Sequence, residues 1–175
     1  GPFFKNKEVA VVGGGNSGVE AALDLSGIAK KVSLIEFMPD LKADQILVDK
    51  VKNSDNIEIF TNTKSKEVVS ESGIVNGLMC EKRENNEEFL IPLKGIFVQI
   101  GLIPNSNFVK NLVKTTSYGE IIIDESGKTS IEGIFACGDV TTIPYKQIVI
   151  SMGEGAKTAL TVADYLMKDY SEVAA

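Results

Sequence analysis

The sequence contains no histidine, and its 175 residues include only two cysteines, Cys80 and Cys137. Without histidine the chain lacks the usual general base at neutral pH and the commonest metal ligand. Ser-His and Cys-His nucleophilic catalysis by this chain alone are therefore excluded. No Cys/His cluster has zinc spacing, and no metal site is expected. Two well-separated cysteines offer no disulfide framework and fit a reducing, cytoplasmic compartment. Positive charge is also short. Lys and Arg total 18 against 24 Asp and Glu, a net charge of −6, which argues against nucleic acid or an anionic membrane as partner. No apolar run approaches the length that spans a bilayer, and the opening GPFFKNKEVAVV lacks the layout of a secretory signal.

What is present suits a soluble α/β protein with one good-sized core or two small domains. KEVAVV (7–12) and KVSLIE (31–36) read as buried β-branched strands. Between them residues 16–28 read as a helix with Val19, Ala22, Leu23 and Ser26 on one small-residue face. Together they make one β-α-β unit of parallel topology. A helix over 44–52 and a strand over 57–60 follow. Three strand-like runs, EVVS, IVNGLMCEKR and EFLIPL, are then separated by the turn signals ESG and ENNE and predict an inserted antiparallel meander. GIFVQIG (95–101) returns to an apolar core strand. Beyond it EIIID and GIFAC read as short strands and 147–168 as a long helix rich in small residues. The organisation changes near Leu102, which predicts domains over 1–102 and 103–175.

Gly13, Gly15 and Gly18 satisfy G-x-G-x-x-G, following a strand and opening a helix. Gly13 makes the tight turn, Gly15 admits a pyrophosphate close to the backbone, and Gly18 lets helix and strand pack closely. The helix N-terminus supplies free N–H groups and a positive dipole end. Glu36, at the end of the second strand, is placed to accept the adenosine ribose hydroxyls and to repel a 2′-phosphate. The next residues, FMPD, provide no Lys or Arg for such a phosphate, so the site reads as one for NADH rather than NADPH. The competing readings are a glycine turn with a packing role alone and a solvated strand-end glutamate. A third places FAD, not NADH, on the glycine turn.

A second signature lies downstream. TSIEGIFACGDV resembles the second FAD fingerprint of the pyridine-nucleotide disulfide oxidoreductases, and QIGLIPN resembles their crossing from the NAD(P)H domain to the FAD domain. GGGNSGVEAALDL, EFMPDLKADQ, GIFVQIGLIPN and PYKQIVISMGEGAK resemble the branch that holds the alkyl hydroperoxide reductase F subunits and the low-molecular-weight thioredoxin reductases. The resemblance implies a Rossmann-like NADH-binding domain, with a parallel sheet plus inserted meander, followed by the C-terminal part of an FAD-binding domain. It implies that Gly13, Gly15, Asn16, Ser17 and Gly18 form the NADH phosphate loop, with Glu36 the ribose acceptor and Gly101 beside the nicotinamide nucleotide. It further implies that Gly138 and Asp139 belong to the flavin ribitol site, and that Gln147 and Ile148 face the pyrimidine end of the isoalloxazine. The alternative for Asp139 is a turn or helix cap.

The family's FAD phosphate loop and its redox C-x-x-C are not found in this sequence, which starts as if cut just after that cysteine pair. The expectation is therefore a C-terminal portion of an NADH:disulfide oxidoreductase, itself without a catalytic residue, inactive alone and holding a partial FAD site. In the full-length protein, expected to be a homodimer, electrons would pass to a peroxiredoxin-type partner or, alternatively, to thioredoxin. A non-catalytic dinucleotide-binding module is the remaining alternative. Cys137 is expected to be a small apolar packing residue, and Cys80 structural or idle.

Overall fold

Apolar residues alternate or run continuously in the first hundred positions, and the computed structural model shows where each face goes. The structure describes residues 1–173, and for 168–173 the backbone only. Ala174 and Ala175, the end of the expected 103–175 segment, lie outside the described residues. The chain divides into two compact units, Gly1–Gly101 and Leu102–Ala175.

In the first unit the elements run β1 (Glu8–Val12), α1 (Asn16–Ser26), β2 (Lys31–Ile35), α2 (Gln45–Lys52), β3 (Ile57–Phe60), β4 (Thr63–Glu71), β5 (Ile74–Lys82), β6 (Glu88–Pro92) and β7 (Gly95–Val98). Strands β3, β2, β1 and β7 form a parallel sheet in that order, and β4, β5 and β6 an antiparallel one. Successive strand residues point to opposite faces, so β1 and β2 bury side chains on both. Val9, Val11, Val32 and Leu34 pack with Val19, Ala22 and Leu25 of α1 and Val51 of α2. On the opposite face Ala10 and Ile35 pack with Leu78, Cys80, Ile91 and Leu93 of the meander. The unit is thus three layers, with the meander covering the sheet face that helices cover in many doubly wound folds.

The buried positions of α1 are Gly18, Val19, Ala22 and Leu25. Leu25 therefore replaces the expected Leu23 and Ser26 at the centre of the face. Leu25 continues the 18-22-25 spacing of one helical stripe, while Leu23 is only partly buried and Ser26 turns its hydroxyl to the Leu23 carbonyl, 2.6 Å away. At the start of the chain a single 3-10 turn, Pro2–Phe4, brings the Phe4 ring edge-on to Phe97 at 5.3 Å.

Among its described residues the second unit carries one regular element, α3 (Ile148–Val173). The expected strands EIIID and GIFAC do not form. Ile121 makes isolated bridges to Thr115 and Thr141, and Phe135 one to Lys128. A strand exists only as part of a ladder, and among the described residues no segment runs alongside either stretch for more than one pair. Here turns do the organising. The Asp124 carboxylate accepts the N–H groups of Ser126 (2.8 Å) and Lys128 (2.9 Å). The Lys128 bond foremost holds its carboxyl below the usual carboxylate range. Phe135 stacks edge-on against Tyr165 of α3 at 5.6 Å.

Candidate functional site

The sheet order sets the location. From β1 the chain moves to one side through β2 and β3, then returns to the other side of β1 with β7. The carboxyl ends of β1 and β7 thus flank a topological switch point, where open α/β sheets bind ligands. The glycine turn follows β1 at this point, and Gln99, Ile100 and Gly101 follow β7.

The turn is built for absent side chains. Gly13 has φ +118°, and a Cβ there would lie 2.1 Å from the Gln99 carbonyl oxygen. A Cβ on Gly18 would lie 1.8 Å from the Gly13 carbonyl oxygen. Gly15 differs, since a Cβ on it meets nothing within 4 Å. It occupies the N-cap of α1 with no side-chain cap. Open space therefore sits over the first helical turn, whose N–H groups, at Asn16, Ser17 and Gly18, have no acceptor within the helix. Asn16 and Ser17 are exposed. Free N–H groups at a helix N-terminus suit an anionic group in sign.

Glu36 lies just past β2 and is buried. Its Oε2 accepts the Gly14 N–H at 2.5 Å and its Oε1 the Met38 N–H at 2.7 Å. Its own N–H donates to Phe60 at 2.8 Å and its carbonyl accepts from Thr63 at 3.0 Å. The carboxylate is thus fixed against the glycine turn, and each oxygen retains a lone pair for a further donor. Gly14, a free position in the motif, has a reason to be glycine: a Cβ would lie 2.7 Å from Glu36 Oε2. Its place in the middle of three consecutive glycines is the only sequence signal for it.

Other residues surface here without a local sequence cue. Asn16 and Asp44 form a reciprocal pair: the Asp44 N–H donates to Asn16 Oδ1 at 2.7 Å, and Asn16 Nδ2 donates to Asp44 Oδ2 at 3.1 Å. The Asn16 side chain is thus engaged with the N-cap of α2. Arg83 places its guanidinium 4.0 Å from the centre of the Phe37 ring. The stretch FMPD has no basic residue of its own, yet the fold delivers one from the β5–β6 turn. Gly101 is exposed with φ +95° and open space around its Cα.

The second unit brings together Asp139, Ser151 and Gln147. Gly138 is buried with φ +77°, and Thr141 closes the turn by donating its hydroxyl to the Gly138 carbonyl at 2.7 Å. Asp139 is exposed, and its Oδ1 accepts the Ser151 hydroxyl at 2.6 Å. The Gln147 carbonyl accepts the Ser151 N–H at 2.9 Å, which makes Gln147 the cap of α3. Gln147 and Ile148 are exposed. Lys146 reaches the Thr141 carbonyl and pairs with Glu120 at 2.9 Å. Asp139 keeps one carboxylate oxygen toward solvent, as a hydroxyl-bearing ligand chain needs.

Neither cysteine is in a redox pair. Both are free thiols, and burial pushes the Cys80 thiol up to about 11. Among the described residues there is no cluster that could hold a metal ion, and no helix is long and apolar enough to cross a membrane.

A family model described as pyridine nucleotide-disulphide oxidoreductase matches residues 2–163. The alkyl hydroperoxide reductase F subunit of Escherichia coli strain K12 is 51% identical over 168 residues, 96% of this chain and 32% of that protein. Its counterpart of the same name in Staphylococcus aureus strain MRSA252 is 52% identical over 169 residues, 97% of this chain and 33% of that protein. The chain thus spans about a third of the length of these curated relatives. Among solved structures, T. acidophilum thioredoxin reductase matches with a TM-score of 0.73 and 37% identity, over 95% of this chain and 54% of that one.

Proposed function

Because the chain belongs to the pyridine nucleotide-disulphide oxidoreductase family, we propose that it is part of an NADH-dependent flavoprotein disulfide reductase, with residues 1–102 its NADH-binding domain and 103–175 the C-terminal segment of its FAD-binding domain. In the whole enzyme NADH supplies a hydride to FAD, from which electrons pass through a C-x-x-C disulfide to a peroxiredoxin-type partner in peroxide detoxification. The cytoplasm and a homodimer are the setting proposed for it.

Residues of this chain bind and orient. Gly13, Gly15, Asn16, Ser17 and Gly18 shape the phosphate cradle, with Gly101 at the facing strand end. Glu36 receives the adenosine ribose. Gly138 and Asp139 hold a polyhydroxyl chain, and the α3 N-terminus at Gln147 and Ile148 favours negative charge on the ring beside it. The observation that carries this reading is the Glu36 carboxylate, buried and fixed by two backbone N–H groups at the mouth of the glycine turn. A 2′-phosphate there would meet a desolvated negative charge.

Equilibrium dialysis of the chain is expected to give NADH binding roughly tenfold or more tighter than NADPH. Glu36→Arg is expected to invert that preference; unchanged constants for both nucleotides would remove Glu36 from the site. A second reading, reduction of thioredoxin, is favoured by the fold likeness to thioredoxin reductase. Turnover assays of the full-length protein with each acceptor separate the two.

A further inference from the structure

The sequence has a single arginine, Arg83, and the fold carries it from the turn between β5 and β6 to the residue that follows Glu36. Its guanidinium stacks over the Phe37 ring at 4.0 Å. Its Nη1 donates to the Phe37 carbonyl at 3.1 Å and to Asn62 Oδ1 at 3.2 Å. Its backbone N–H donates to the Asn62 carbonyl at 2.9 Å. Asn62, in the link from β3 to β4, has φ +51°, a left-handed conformation that a non-glycine residue adopts only at some cost. That conformation turns its own N–H onto the Met38 carbonyl at 2.8 Å. The Met38 peptide is then held from both sides: its carbonyl by Asn62, its N–H by Glu36 Oε1 at 2.7 Å.

These contacts form one connected path, from Arg83 through Phe37 and Asn62 to Met38 and on to the Glu36 carboxylate. Every member outside residues 36–38 comes from the meander or the link leading into it. Phe37 and Met38 are themselves exposed, so core packing does not hold this loop. A loop with little apolar burial keeps one conformation only where specific polar contacts impose it.

We propose that Arg83 is a positioning residue for the adenosine end of the cofactor site. By clamping Phe37, together with Asn62, it fixes the loop that orients the Glu36 carboxylate. The inserted meander is thereby part of the device that selects between the two nicotinamide nucleotides, as well as a cover for the sheet. The inference rests on the reading of Glu36 as ribose acceptor.

The test is a double-mutant cycle in the chain, with NADH and NADPH dissociation constants and thermal midpoints measured for Arg83→Ala, Glu36→Gln and the double variant. Arg83→Ala is expected to weaken NADH roughly fivefold, the scale of one exposed cation–π stack with a charge-assisted hydrogen bond, and to lower the NADH:NADPH selectivity by a similar factor. In the Glu36→Gln background the same change is expected to cost less than about twofold, because both act on one contact. Asn62→Gly, which keeps the left-handed backbone but removes the Oδ1 acceptor, is expected to shift selectivity in the same direction and serves if Arg83→Ala does not fold.

An unchanged selectivity ratio in Arg83→Ala and Asn62→Gly overturns the inference, as do effects that multiply in the double variant. Loss of NADPH rather than NADH binding overturns it too, because Arg83 would then serve a phosphate directly. If Glu36→Gln leaves NADH binding intact, the ribose-acceptor reading itself fails. If Glu36→Gln weakens NADH while Arg83→Ala does not, the positioning inference alone fails.

Discussion

Residues 31–35 in the first unit and 121–123 in the second both carry apolar, β-branched residues, but only the first is a strand. β2 has β1 on one side and β3 on the other, with four or five paired residues each. Ile121 has single bridges to Thr115 and Thr141. The difference shows how little of a strand resides in the residues that compose it. β propensity measures fit to a pleated surface that neighbours must supply. Burial divides them less cleanly. Val32, Leu34 and Ile35 are at most 1% exposed, while Ile121 is 5% and Ile122 42% exposed. In the second unit the first turns of α3 also show Ile148, Val149 and Met152 to solvent. One unit closes its core around its own ladders; the other is tied mainly by turns and the contacts of one helix.

The contrast can be broken most directly at glycines. Gly18→Ala sets a methyl 1.8 Å from backbone, the Gly13 carbonyl oxygen, which the strand-helix junction cannot yield. A loss of about 3 kcal/mol or more is expected in denaturant unfolding, with NADH binding abolished. Gly127→Ala is the matched change in the second unit. Its Cβ would lie 2.4 Å from the Thr158 hydroxyl oxygen, a side-chain atom, and 3.1 Å from the nearest backbone atom, the Ala136 carbonyl oxygen, at φ +82°. A smaller cost of about 1–2 kcal/mol is expected. Equal losses at the two glycines would contradict the distinction.

Hydrogen exchange sharpens it further. The amides of Val32 and Leu34 are expected to open at about 2 kcal/mol higher free energy than those of Ile121 and Ala136, since ladders open cooperatively and single bridges do not. Comparable protection in both units would show that the second is ordered by more than its turns.

The cysteines give the smallest effect. Cys80 belongs to the first unit and is fully buried, whereas Cys137 in the second is partly accessible. Cys137 is expected to react with a thiol reagent in the folded chain and Cys80 only after unfolding. Because burial raises the folded Cys80 pKa to about 11, above the unfolded thiol at about 8.5, its contribution to stability is complete below that unfolded value. That contribution declines as pH rises through 11. A fall of about 1–2 kcal/mol between pH 9 and 11 is expected, and it should vanish in Cys80→Ala.

Much of the candidate site was legible because its logic is local. The 13-15-18 glycine spacing, the strand before it, the helix after it and the acid ending the next strand are all short-range patterns. They identify a β-α-β turn whatever the rest of the chain does. The meander was legible from its turn residues for the same reason. The strand reading of EIIID and GIFAC was not sound, because composition reports what a residue fits and is silent on whether a neighbour exists.

Sequence alone determined the order of elements in the first unit, the turn that can admit a pyrophosphate, and the carboxylate beside it. Each follows from hydrophobic period, backbone permissiveness or charge over a few consecutive residues. Only the tertiary structure decided what meets Gly14, since the Glu36 carboxylate that accepts its N–H and occupies its Cβ space is 22 residues away. It alone decided that an arginine 46 residues from Phe37 stacks on that ring and donates to its carbonyl, in the loop next to Glu36. Contacts at such separations depend on how layers stack and which strands become neighbours, and no local pattern encodes that stacking.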